Sequence, residues 1–97
     1  MYRLRFTDTS KNVLIGLKHN NSKTAVFKAV TKSLRYLEND PRHPSINSKP
    51  FKTLSGPNGE KLWESYAQQN TPGAYRIFWY YGPERKQITV TSIIHHP

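Results

Sequence analysis

The chain has no cysteine. Disulfides and thiolate–metal sites are therefore excluded, and nothing calls for an oxidising compartment. No apolar run approaches a membrane span, and the N-terminal "MYRLRFTDTSK" lacks an apolar core of signal-peptide length. A soluble, cytoplasmic protein with no membrane partner is expected. There is no internal repeat, low-complexity block or interdomain linker, so residues 1–97 are expected to form one domain. The most telling shortage is of acidic groups. Six Asp and Glu face fifteen Lys and Arg, a net charge of +9, and the pI is near 10.1. The imbalance is uneven: residues 1–50 carry +7 and residues 51–97 carry +2. Such a field favours nucleic acid or an acidic protein as partner.

What is present orders into elements. "YRLRF" alternates, with Tyr2, Leu4 and Phe6 on one side and Arg3 and Arg5 on the other, which predicts a strand with one buried face. "TDTS" follows, and Thr9 or Ser10 is placed to cap a short helix through Val13, Leu14 and Leu17. After a turn at "HNNS", with Ser22 as capping residue, Val26, Phe27, Val30, Leu34 and Leu37 recur at helical spacing. Lys28, Lys32 and Arg35 form a second stripe roughly opposite. "NDPRHP" ends this helix, because the residue before proline avoids the α region. Residues 40–60 hold four of the seven prolines and two of the five glycines, and read as a long irregular connection. Three strand candidates follow, in "KLWESYAQ", "AYRIFWYY" and "QITVTSII", joined by short turns as in an antiparallel meander. The predicted fold is α+β, β-α-α-β-β-β: an antiparallel sheet with two N-terminal helices packed on one face.

Strand alternation puts Arg76, Phe78 and Tyr80 on the face opposite Tyr75, Ile77 and Trp79. If that face is open, it offers a guanidinium for phosphate and rings for bases. Lys49, Lys52 and Arg42 in the connection, with Tyr66 and Tyr80 on the strands, complete a candidate RNA- and phosphate-binding set. A metal site is not expected. His95 and His96 are neighbours whose side chains diverge on a strand, and His19 and His43 show no ligand spacing with them. "GPNG" is too short for a phosphate-cradling loop and no helix follows it, so no small-molecule cofactor is expected either.

The stretches "KPFKTLSG", "LWESY", "AYRIFWYYG" and the terminal "IIHH", in this element order and at this length, resemble the RelE/ParE superfamily of bacterial toxins from type II toxin–antitoxin pairs. The resemblance covers nearly the whole chain and is strongest over "AYRIFWYYGPERKQITVTSIIHHP". It implies a RelE/ParE-like fold and a cognate antitoxin whose acidic or apolar segment wraps the toxin. It also implies one of two activities. RelE-, YoeB- and HigB-like members cleave mRNA, typically on the ribosome, whereas ParE-like members inhibit DNA gyrase without being nucleases. Arg76 matches the arginine of the "YR" strand motif that contacts the scissile phosphate in the nucleases. His95 matches by position the histidine that acts as general acid in YoeB-like members, and His96 takes the place of an aromatic residue that often follows. Where YoeB-like members carry their base, a glutamate just before the "LSG"-type turn, this chain has Lys52. The second-strand lysines of some RelE-like members are replaced by Glu64 and Tyr66.

The residues themselves suit metal-independent RNA cleavage. Attack by the 2′-OH needs a base, a cation for the crowded phosphate and an acid for the leaving 5′-oxygen. Histidine titrates near operating pH, and arginine stays charged and grips phosphate in a fork. Glu64 is the candidate base provided that its strand register aligns it with Arg76. Which histidine serves as acid stays open. The expected function is thus an endoribonuclease toxin (an mRNA interferase). A gyrase inhibitor and an inactive relative that only binds an antitoxin are the alternatives.

Overall fold

The computed structural model describes residues 1–69, 71 and 73–95. Leu4 and Phe6 of β1 (Arg3–Phe6), with Tyr2 just before it, pack against the core. Thr7 then caps α1 (Asp8–His19), its Oγ1 accepting from the Ser10 amide at 3.2 Å. The cap is thus Thr7 rather than Thr9 or Ser10. Ser10 lies inside the helix, fully buried, and its hydroxyl donates to the Val90 carbonyl at 2.7 Å, fastening α1 to the sheet. Asp8 in the first turn and Lys18 and His19 in the last complement the helix dipole. Ser22 is likewise not a helix cap. The Asn20 side chain accepts from its amide and nucleates a single 3₁₀ turn.

α2 (Thr24–Asn39) follows the apolar stripe: Val30, Leu34 and Leu37 are buried, whereas Lys28, Lys32 and Arg35 are exposed. It ends just before Asp40-Pro41, as the proline demands. The next segment differs from the expectation of an irregular connection. It holds a 3₁₀ turn at Pro44–Ile46 and then a strand, β2 (Lys49–Ser55). β2 lies at the edge of the sheet, where Pro50 is tolerated, and a register shift between Phe51 and Ser55 disrupts its ladder. Proline and a bulge together hide the strand from periodicity.

β3 (Lys61–Tyr66), β4 (Tyr75–Tyr81) and β5 (Gln87–His95) form the expected meander. The β4–β5 turn uses Gly82 at φ 121°, a conformation open to glycine. The sheet order is β1-β5-β4-β3-β2. β1 runs parallel to β5 and every other pair is antiparallel, so the α+β sheet is mixed, with five strands, rather than wholly antiparallel. Both helices cover one face. Val30, Leu34 and Leu37 meet Ile77, Trp79, Ile88, Val90 and Ile93 there. Each of these aliphatic side chains contributes about 1.5–3 kcal/mol when fully buried.

One irregularity sets the geometry of the other face. Ile88 and Val90 point inward with period two, yet the next inward residue is Ile93. The register shifts at this point: Phe78 pairs with Ser92 but Trp79 with Val90, leaving Thr91 as the extra residue of a bulge. Past the bulge the alternation is reversed. Ile93 and His95 now share the helix-covered face, and Ser92 and Ile94 turn to the open one.

Candidate functional site on the open sheet face

β3 and β4 bring the polar residues of the open face together. Glu64 lies opposite Phe78, and Tyr66 opposite Arg76. Reaching diagonally, Arg76 Nη1 donates to Glu64 Oε2 at 2.7 Å, the one ion pair among the described residues. The Glu64 side chain is 8% exposed and that of Arg76 19%. The guanidinium carbon sits 4.5 Å from the centre of the Tyr66 ring, and Lys49 Nζ lies 5.0 Å from the same ring. Lys49 comes from β2, where it pairs with Glu64. One ring thus supports two cations beside one carboxylate, a favourable arrangement for an arginine stacked on an aromatic face. Arg76 Nε is buried and has no hydrogen-bond partner, so Glu64 leaves part of the guanidinium fork unused.

The register condition on Glu64 is met, and Arg76, Glu64, Tyr66 and Lys49 converge. The remaining candidates do not join them. Tyr80 shares the face but is four residues from Arg76 along β4, about 13 Å at strand rise, and is buried. Lys52 is exposed in the bulged part of β2 and makes no ion pair among the described residues. Arg42 lies on the other side of the sheet, its guanidinium 4.9 Å from the ring of Trp63. Trp63 itself stacks on Trp79 of the core. His95 pairs with Tyr75, and the two rings meet at 5.8 Å. The bulge at Thr91 has therefore put His95 on the face away from Arg76. His96 lies outside the described residues. His43 is a turn former: its Nδ1 accepts from the Ser45 amide, and its ring packs on Tyr36 at 4.3 Å. No group of three His, Cys, Asp or Glu able to hold a metal occurs among the described residues.

Sequence reasoning missed the apolar neighbour of this cluster. Phe51 and Phe78 meet edge to face at 4.9 Å. They line a groove of about 360 Å³ with Leu54, Leu62, Ser92 and Ile94. Leu54 and Ile94 are 63% and 49% exposed. The only signal was in "KPFKTLSG", whose strand character its proline conceals.

No protein-family model matches the chain, and no curated protein matches it by sequence. Solved structures do match. A YoeB/ParE toxin from Agrobacterium tumefaciens is similar with a TM-score of 0.73 at 12% identity, covering 98% of this chain and 99% of that one. A YoeB dimer from Staphylococcus aureus gives a TM-score of 0.69 at 12% identity, covering 99% and 98%. The archaeal RelE–RelB complex from Pyrococcus horikoshii gives 0.66 at 16% identity, covering 97% and 93%. The chain shares the fold of these toxin structures.

Proposed function

We propose that this chain is the toxin of a type II toxin–antitoxin pair and that it cleaves mRNA by attack of the 2′-OH on the adjacent phosphate. The observation that carries this reading is the Arg76–Glu64 pair, 2.7 Å apart and held on the open face with Tyr66 and Lys49 beside it. An incoming phosphate competes with Glu64 for the guanidinium, because arginine binds phosphate in a bidentate fork. Phosphate capture then frees the carboxylate next to the nucleophile. Glu64 takes the 2′-OH proton, while Arg76 and Lys49 stabilise the charge that builds on the phosphate. Tyr66 fixes both cations from below.

The leaving 5′-oxygen needs a proton. His95 faces the other side of the sheet, so of the two terminal histidines we assign the acid role to His96. This departs from the family resemblance, which points to His95. The partner is a cognate antitoxin, consistent with the RelE–RelB complex among the structural neighbours and with the scarcity of acidic groups on this chain. The substrate is mRNA, on the ribosome or free.

Transcript mapping by primer extension after expression tests the reading. New 5′ ends are expected with the intact protein and are expected to vanish with Arg76→Ala. Intact transcripts with the unaltered chain would sink it. A second reading, gyrase inhibition, draws on the exposed Lys28, Lys32 and Arg35 stripe of α2. A supercoiling assay decides: gyrase unaffected at large protein excess removes it.

A further inference from the structure

Resting on the nuclease reading, we infer that the groove between β2 and β5 is a nucleobase pocket, holding the base beside the phosphate that Arg76 grips. Its position makes the case. Ile94 is the direct cross-strand partner of Arg76, and Phe78 that of Glu64. The groove wall and the ion pair therefore adjoin, one strand spacing apart, about 4.8 Å. The two halves ask for different chemistry. One is apolar and lined by Phe51, Leu54, Leu62, Phe78 and Ile94; the other carries Arg76 and Lys49. A ligand that satisfies both has a flat apolar body joined within a few ångströms to an anion, which describes a nucleotide. An apolar peptide segment would fill the groove but offer no acceptor to Arg76 Nε, which has no partner, or to the Lys49 ammonium beside it. Phe51 and Phe78, packed edge to face on each other, line the groove with aromatic surface, and base–aromatic stacking accepts any base. Ser92 supplies a hydroxyl at the rim for a base edge. Leu54 and Ile94 flank the opening, which accounts for two large aliphatic side chains left in solvent.

The test uses the full chain, short 2′-O-methyl RNA oligomers that cannot be cleaved, and the same oligomers with an abasic position. Leu54→Ser and Ile94→Ser are exposed changes that leave the core intact. Fluorescence anisotropy should show the wild type preferring the base-bearing oligomer roughly ten-fold, the scale of one base stack. The double variant should lose this preference while keeping its affinity for the abasic oligomer. Arg76→Ala should weaken both oligomers alike. Methyl NMR signals of Leu54 and Ile94 should move with the base-bearing oligomer and not with the abasic one. Equal binding of both oligomers by the wild type, with transcript cleavage intact, overturns the pocket and leaves the nuclease. Methyl signals that move only with protein concentration, or only on adding a co-purified partner protein, reassign the groove and overturn the inference. Absence of both RNA binding and cleavage removes pocket and nuclease together.

Discussion

Arg76 and Glu64 are not direct cross-strand partners. Each faces an aromatic residue, Tyr66 and Phe78 respectively, and their 2.7 Å bond runs along the diagonal between β3 and β4. The diagonal matters, because it leaves the guanidinium stacked on Tyr66 and the carboxylate beside Phe78 at the edge of the apolar groove. The same two groups therefore contribute to stability, as an ion pair, and to the proposed chemistry, as clamp and base. Variants can separate the two roles.

Glu64→Gln keeps an oxygen to accept from Arg76 but removes the base. It should unfold at nearly the wild-type urea concentration while losing about 10²–10⁴-fold in cleavage rate. Arg76→Ala should lose at least about 10²-fold and also lower stability, since it strands a buried carboxylate. The cost of breaking a fully buried pair is about 3–5 kcal/mol; because the Arg76 side chain is 19% exposed, a smaller value is expected. In a double-mutant cycle with Glu64→Ala and Arg76→Ala, the coupling should be about 1–3 kcal/mol. Additive unfolding energies would show that the pair is no more than a solvated contact.

The two histidines should behave differently. His95 lies across from Tyr75 on the helix-covered side, so His95→Ala should leave transcript cleavage within a few-fold of wild type. His96→Ala should reduce it by about 10²-fold or more, the usual contribution of a general acid. The reverse ranking would refute the assignment. Deleting the bulge residue Thr91 is the complementary change. It should reverse which of the following residues face Arg76, at a cost to the packing of Ile93.

Part of this candidate site is legible in the sequence. The alternation of "YRIFWYY" puts Arg76 and Phe78 opposite Ile77 and Trp79, and "LWESY" offers Glu64 as base on the condition of its register. What could not be read was phase. A β-bulge leaves no reliable mark in "QITVTSIIHH", since Val90, Ile93 and Ile94 are all apolar and either alternation is plausible there. The bulge at Thr91 therefore decided the fate of His95 invisibly. The placement of Arg42 and the strand β2 are hidden for a related reason. Proline-rich composition describes local backbone, and says nothing of Arg42 folding back over Trp63 or of Lys49 pairing with Glu64.

Tyr81 offers a pH-dependent check on the opposite face. Partial burial raises its phenol above the ordinary value of 10.0, although the residue keeps 38% of its surface in solvent; nearby Tyr2 and Asp40 add to the rise and Arg42 opposes it. The folded state thus favours the protonated phenol. Its contribution to stability is complete below the unfolded pKa, about 10, and is lost as pH rises through the folded value. Tyr81→Phe should flatten the decline of stability with pH in that alkaline range. In a spectrophotometric titration, the variant should also lose a component that ionises above 10.0. A late component that persists in the variant would assign it elsewhere.

A relay of hydrogen bonds ties the proline-rich connection to the core. Trp79 Nε1 donates to Ser65 Oγ at 2.8 Å. Ser48 Oγ donates to the Pro41 carbonyl at 2.7 Å, so the 2.6 Å contact between the two serines takes its hydrogen from Ser65. Ser65 is 1% exposed and Trp79 fully buried. Ser65→Ala would leave the indole N–H with no acceptor inside the protein, which should cost about 1–3 kcal/mol in urea unfolding. Ser48→Ala should cost less, because the Ser65–Trp79 bond survives it. Ser48 directly precedes Lys49, so its loss should also slacken the start of β2. Cleavage should then fall several-fold with Ser48→Ala while global stability changes little. Equal losses of stability from the two variants would overturn this ranking, and show that the Ser48 end of the relay matters as much as the indole hydrogen bond.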